Sequence, residues 1–358
     1  LVSRTVRIGS VMTARIVGLD IGSASVRAVE VKNPDKPSRM ILKTQELPLP
    51  EGSVSRGEVI DVSTVSMTIR RLWAMGGFGS RDVVLGMGGP RVLSRELTMP
   101  RAPIGQLRES LQFHVQDLLP VPVAEAILDF YPVSEANGDN GPVINGLLVA
   151  AVKEAVNANI AAVTRAGLRV AQVDIIPFAL ARALAPVGVA RGLEAIVSMG
   201  ANSTNVVITE SGVPHFVRII PSGGDDITRA LSTRLKLALQ AAELTKRAVG
   251  LDAANATPDQ RPAVEIVYEI AGEQLTSIRN TLTFHLNSHP GAQLTRIILA
   301  GGGSELRGVG RALAEMTGVQ VVQADPLGGV PVGKQMRASR EQVVALTTAI
   351  GLTLGVEE

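Results

Sequence analysis

Ile16-Val-Gly-Leu-Asp-Ile-Gly-Ser-Ala-Ser25 is echoed 178 residues further on by Glu194-Ala-Ile-Val-Ser-Met-Gly-Ala-Asn-Ser203. Each copy is an apolar run, a Gly-containing turn of small residues and a second apolar run, the pattern of a β-hairpin. At this offset Gly22 falls on Gly200, Ser25 on Ser203 and Val29 on Val207. One such hairpin in each half predicts a duplicated, two-lobed α/β chain with a cleft between the lobes.

Working outward, strand and helix patterns alternate along the chain. A helix over 65–75 ends at Gly76-Gly77, and Asp82–Met87 is a short buried strand. From about 91 to 165 the character changes. Ile104–Leu119 reads as one amphipathic helix with Ile104, Leu107, Leu111, Val115 and Leu118 on a stripe. Strands at 129–133 and 146–152 flank a polar turn at 135–141, and a helix over 154–166 completes a small inserted α+β unit. Further helices are expected over 226–249, 263–287, from about 308, and over 340–354, with strands at 296–300 and 319–324. The resulting plan is a first lobe from 12–90 and 166–192, interrupted by the 91–165 insert. A second lobe spans 193–339 with an inner helical insert at about 223–294, and 340–358 returns to the first lobe. Residues 1–11 lack an apolar signal core and read as an upstream extension.

The 358 residues are 46% hydrophobic and 19% charged, enough for roughly two packed domains and too apolar for disorder. Aromatics at 3% leave little for base stacking, and 35 basic against 33 acidic residues do not make a phosphate-neutralising surface. With no cysteine, disulfides, thiol nucleophiles and thiolate metal sites are excluded. Of the four histidines, His285 and His289 are four apart, but Pro290 follows and no carboxylate lies between them, so a histidine metal site is not expected. No run reaches the ~20 apolar residues that cross a bilayer, and a cytoplasmic chain is expected.

The turns suggest chemistry. Gly22-Ser-Ala-Ser25 can turn N–H and hydroxyl donors toward an anion, and Asp20 could hold a hydrated divalent cation against a phosphate. Gly200-Ala-Asn-Ser-Thr204 offers a second cradle, and Gly301-Gly-Gly303, between a strand and a helix, lets a flat group approach the backbone.

In this order the motifs resemble the superfamily of actin, the heat-shock chaperone ATPases and hexokinase. Within it they resemble the type IV pilus assembly family PilM, a relative of the division protein FtsA. The supporting text is Gly18–Val26; Asp117-Leu-Leu-Pro-Val-Pro122 with Asp129-Phe-Tyr131; Leu148–Glu154; Ala166-Gly-Leu168; Val173-Asp174; and Phe178–Arg182. It continues with Ser222–Thr228, Ala242-Glu243 with Lys246, Leu299–Ser304 and Ala349–Leu352. The resemblance implies an actin-like fold binding ATP with Mg2+. Asp20 would be the metal-side acid, with Gly22, Ser23, Ala24 and Ser25 at the phosphates. Gly200, Ala201, Asn202, Ser203 and Thr204 would form the second phosphate turn. Gly223 and Gly224 would allow close approach, Glu243 and Lys246 would flank the nucleoside, and Gly301, Gly302 and Gly303 would back the adenosine. The resemblance also implies that the insert grips the cytoplasmic N-terminal peptide of a PilN-like inner-membrane protein. That contact would link the chain to PilO, PilP and the pilus motor, and recruit it to the membrane without an anchor of its own. Leu111 and Phe130 are the residues expected to touch that peptide.

Two departures from the superfamily predict slow or absent hydrolysis: Ser198 stands where an Asp is usual, and Ile175 and Ile176 where Glu or Gln orients water. Rival readings are an FtsA-like filament-forming protein and a small-molecule kinase using Asp174 as base. Gly328-Gly-Val-Pro-Val-Gly-Lys334 has a P-loop outline, but Gln335 follows where a Mg2+-binding Ser or Thr is needed.

Overall fold

The computed structural model describes residues 15–36, 38–139, 141–186, 192–251, 257–328, 330–333 and 340–355. The proposed extension at 1–11, and Gly329, Lys334 and Gln335 of the P-loop-like stretch, lie outside them.

The first hairpin forms as read, β1 (Arg15–Ile21) pairing antiparallel with β2 (Ser25–Lys32). The chain continues through β3 (Met40–Pro48) and a two-stranded ribbon, β4 (Val54–Ser55) and β5 (Glu58–Val59). Helix α1 (Val62–Gly76) follows; Asp61 accepts from the Ser63 and Thr64 amides at its start, and Gly77 ends it in the left-handed region. Strand β6 (Asp82–Met87) then joins β1 in parallel.

The insert comprises β7 (Val92–Pro100), α2 (Ile104–His114), β8 (Ala126–Gly138) and β9 (Gly141–Val152), in strand order β7-β9-β8. Three sequence expectations are corrected here. The helix expected to reach Leu119 stops at His114, and a separate turn of 3-10 helix covers Gln116–Leu118. Pro120 disfavours helical backbone at Leu119, which is extended and ends that turn. The polar 135–141 segment is mostly strand, with Gly138 paired to Gly141. The helix read as closing the insert, α3 (Lys153–Arg165), packs on α1, and its Ala162 and Val163 are buried in the first lobe's core.

The chain returns through β10 (Arg169–Ile175), parallel to β6, and α4 (Ile176–Leu184). The second lobe repeats the first: β11 (Leu193–Met199), β12 (Thr204–Glu210) and β13 (Val213–Ile220) form an antiparallel meander. The single helix expected over 226–249 is two, α5 (Gly224–Leu235) and α6 (Leu239–Val249). They part at Lys236, whose φ of 55° ends α5 without a glycine to announce it. After α7 (Arg261–Ser288), strand β14 (Leu294–Ala300) pairs parallel with β11, and α8 (Val309–Thr317) leads to β15 (Val321–Gln323). The last expected helix divides into α9 (Arg340–Ala345) and α10 (Thr347–Thr353).

The sheet orders β3-β2-β1-β6-β10 and β13-β12-β11-β14-β15 are the same topology twice. Helix α4 joins the halves, packing against α10 and the first sheet as well as β11, β12 and β13. Phe178 and Leu180 thereby share a core with Ile196 and Val207. Gly351 of α10 lies against the Ala179 carbonyl of α4, and Gly18 of β1 against that of Ala349, contacts a Cβ would block. Among the described residues, no helix is long and apolar enough to cross a membrane.

Candidate functional site

Both turns close with the same bond: the Gly22 amide donates to the Ser25 carbonyl at 3.0 Å, and the Gly200 amide to that of Ser203 at 2.8 Å. A Cβ on Gly22 or Gly200 would stand 3.1 or 3.0 Å from the same carbonyl oxygen, so the duplication reaches atomic detail.

In the first turn, Asp20 is buried at the end of β1, and burial pushes its carboxyl above the usual range against the opposing pull of Arg27. Arg27 lies directly across β2, its Nη1 3.4 Å from Asp20 Oδ2 and its Nε 2.9 Å from Glu46 Oε1. The Ser25 hydroxyl donates to that same Glu46 oxygen at 2.7 Å. A desolvated carboxylate with one long ionic contact suits a divalent cation. Arg27 went unremarked in the sequence; the signal was a cation seven residues after Asp20 in the second hairpin strand.

The second turn is joined to several other expected residues. The Gly224 and Asp225 amides, at the start of α5, donate to the Gly200 and Ala201 carbonyls at 2.9 and 2.8 Å. A Cβ on Gly223 would lie 2.5 Å from those two oxygens, so the close approach this glycine permits is first of all to the turn itself. Asp226 caps α5, accepting from the Gly223 amide at 2.9 Å and the Ser222 hydroxyl at 2.8 Å. Thr204 Oγ1 donates to the Ser222 carbonyl at 2.8 Å, and Asn202 Oδ1 accepts from Arg229 at 2.8 Å. Sequence reading also missed Gln274, whose Nε2 donates to the Gly223 carbonyl at 2.7 Å; an amide on the apolar stripe of α7 was the available sign.

Glu243 and Lys246 form an ion pair at 2.6 Å that is more than a surface decoration, because the lysine side chain is only 12% exposed. Lys246 also donates to the Gly224 carbonyl at 3.1 Å and to Thr228 at 2.9 Å, fastening α6 to the first turn of α5. Burial acts to raise the Glu243 pKa, but hydrogen bonds from Lys246, Thr228 and Arg247 outweigh it and hold it at about 2.

The three-glycine loop divides. Gly301 and Gly303 lie against Met199 at the end of β11, where side chains would clash, whereas a Cβ on exposed Gly302 meets open space. Gly302 is therefore the position of the three with room for a ligand beside it.

The positions expected to bear on hydrolysis are apolar or neutral. Ser198 is buried and pairs across the strands with Asn205, while Ile176 packs its Cδ1 where a Gly88 Cβ would come within 2.8 Å. Asp174, the base of the kinase reading, is 2% exposed, bonded to Arg182 and to the Ile175 amide, and has no open face for a substrate hydroxyl.

In the insert, Leu111 and Phe130 are both fully buried. They form the core under the sheet with Met99 and Leu148, so the expectation that they touch a peptide is corrected: a unit this small needs its largest apolar side chains for its own packing. A groove of about 610 Å³ does lie between α2 and β8, lined by Arg108, Gln112, Phe113, Val123, Leu128 and Lys153 among others. Phe113, one of the lining residues, is 71% exposed.

A family model described as type IV pilus assembly protein PilM matches residues 18–356. A solved PilM–PilN type IV pilus biogenesis complex is similar over 96% of this chain and 99% of that one, with a TM-score of 0.83 and 26% identity. MreB5 of Spiroplasma citri, solved with AMPPNP, shares the fold at TM-score 0.53 and 10% identity over 95% of both chains. The cell division protein FtsA of Bacillus subtilis is 22% identical over 65% of this chain. The chain spans 58% of the length of that curated relative. The duplicated, bilobed architecture is actin-like, as these neighbours share it.

Proposed function

The chain belongs to the type IV pilus assembly protein PilM family, and from that membership we propose that it is a nucleotide-holding scaffold of the pilus assembly platform. Similarity to the PilM–PilN complex over nearly the whole of both chains is the observation that carries this reading. ATP would sit between the Gly22 and Gly200 turns, with Gly302 beside the base. Magnesium held at Asp20 would offset phosphate charge. Arg27 would shift from Asp20 toward the phosphates, and α5, held by Asp226 and Gln274, would keep the second turn in place. Ser198 is a neutral hydroxyl and Ile176 offers water no hydrogen bond, so both leave an attacking water unactivated. Turnover is then slow, and the bound nucleotide acts as a strut between the lobes.

The insert would take the cytoplasmic N-terminal peptide of a PilN-like protein in the groove between α2 and β8. Phe113 supplies an apolar anchor, and Arg108 and Lys153 a polar rim. Recruitment to the inner face of the membrane, and the indirect link to PilO, PilP and the motor, would follow from that contact. Titrating a labelled peptide of the partner's N-terminal segment onto the full chain tests this. Saturable binding that Phe113→Ala weakens supports the groove; no binding, or binding indifferent to Phe113→Ala, overturns it.

A further inference from the structure

Three of the chain's four histidines gather where the insert meets the second lobe: His215 on β13, and His285 and His289 on and just after α7. Strand β7 runs beside β13 there and brings in Glu96. One donor atom from each of Glu96, His285 and His289 can be chosen so that all three lie within 4.8 Å of one another. The two rings, one in the last turn of α7 and one at its C-terminal cap, stand 4.3 Å apart, centroid to centroid.

Each group has a donor atom to offer. His285 is 3% exposed, yet its Nδ1 has no hydrogen-bond partner; Glu96 Oε1 is 4.0 Å away, too far to accept from it. Burial, together with the neighbouring His289 and His215 rings, lowers the His285 pKa to about 4, so the ring is neutral and carries a lone pair at neutral pH. His289 Nδ1 lies 2.9 Å from the His285 carbonyl, which can only accept. In the neutral ring this contact puts the proton on Nδ1 and leaves Nε2 its lone pair, as in metal-bound histidines fixed by a backbone carbonyl. Glu96 is half exposed on a strand edge and free to swing.

We propose that Glu96, His285 and His289 form a binding site for a zinc-class divalent metal that fastens the insert to the second lobe. Two imidazoles and a carboxylate are zinc donors, and a fourth position stays open to water. Magnesium and calcium prefer all-oxygen sets and are not expected to compete. Donors around a tetrahedral zinc stand roughly 3.3 Å apart, so closing the site needs the exposed Glu96 and His289 side chains to move by about an ångström or so. Glu96 comes from the insert and both histidines from the second lobe, so the ion would tie together two units that already share buried apolar residues, Val92 and Leu147 on one side and Val217 on the other. This site is independent of the nucleotide reading.

The test uses the full chain without a polyhistidine tag, stripped by chelator and titrated with Zn2+ against a metal indicator, then with Co2+ followed by its d–d absorption. The expected result is one ion per chain, with Zn2+ but not Mg2+ raising the melting midpoint. Loss of an outer-shell partner commonly costs about 10–100-fold in metal affinity, so Glu96→Gln and His289→Ala should each cost at least about tenfold. Both residues are exposed, so neither variant depends on disturbing the buried His285. Absence of a saturable site in the wild type overturns the proposal. So does unchanged Zn2+ affinity in Glu96→Gln, which would reduce the site to a pair of histidines on one helix.

Discussion

Arg27 faces Asp20 directly across the first hairpin, with 3.4 Å between guanidinium and carboxylate. The duplicated positions in the second half hold Ser198 and Asn205, also cross-strand partners. The two halves share a backbone but not a charge, so the magnesium proposed at Asp20 would have no counterpart in the second hairpin. Asp20→Asn is expected to weaken ATP binding in the presence of Mg2+ by about tenfold or more, equivalent to about 1.4 kcal/mol. ATP binding in excess chelator should change much less, and calorimetry under the two conditions separates these outcomes.

Glycines at the site serve two purposes that substitution should separate. Gly223→Ala forces a methyl group to within 2.5 Å of the Gly200 and Ala201 oxygens. Overpacking of this kind should cost about 1–3 kcal/mol of stability and lower the melting midpoint. Gly302→Ala meets nothing within 4 Å and should leave that midpoint unchanged while lowering nucleotide affinity. Thermal melts paired with ATP titrations of both variants check this.

Acid should loosen α6 from α5. The Glu243 pKa of about 2 lies below the 4.5 of an ordinary glutamate, so the unfolded chain binds the proton more readily. The contribution is complete above about pH 4.5 and is lost as pH falls toward 2. Glu243→Gln removes it, and the variant's melting midpoint should fall less steeply than the wild type's across that window.

Within the insert, Phe130 and Phe113 should behave oppositely. Phe130→Ala empties a fully buried position and is expected to cost about 3–5 kcal/mol by denaturant unfolding. Phe113→Ala, at a residue 71% exposed, should leave stability unchanged and reduce affinity for the partner peptide.

Much of the architecture was legible because strand–turn–strand signals with Gly and Ser are local, and because the hairpin occurs twice. Strand β7 escaped notice since Val92–Pro100 carries Arg95 and Glu96 and little alternation. Lys236 ended a helix with no Gly or Pro to mark it. The periodicity of α3 announced a helix but not that its apolar face lies in the first lobe. Leu111 and Phe130 were chosen for the same apolar bulk that draws them into the core. The partner of Gln274 and the meeting of Glu96 with two histidines depend on packing between distant segments, which no local pattern encodes, whereas Arg27, seven residues from Asp20, lay within reach of the hairpin pattern.

The central claim, a nucleotide held without rapid turnover, is tested most directly by calorimetric titration of ATP with Mg2+ and a phosphate-release assay on the same sample. Saturable binding of one nucleotide per chain is expected, with little or no phosphate released over many minutes. Brisk release would contradict it, as would absence of binding. The first outcome would mean that a group other than Ser198 or Ile176 activates water in the cleft.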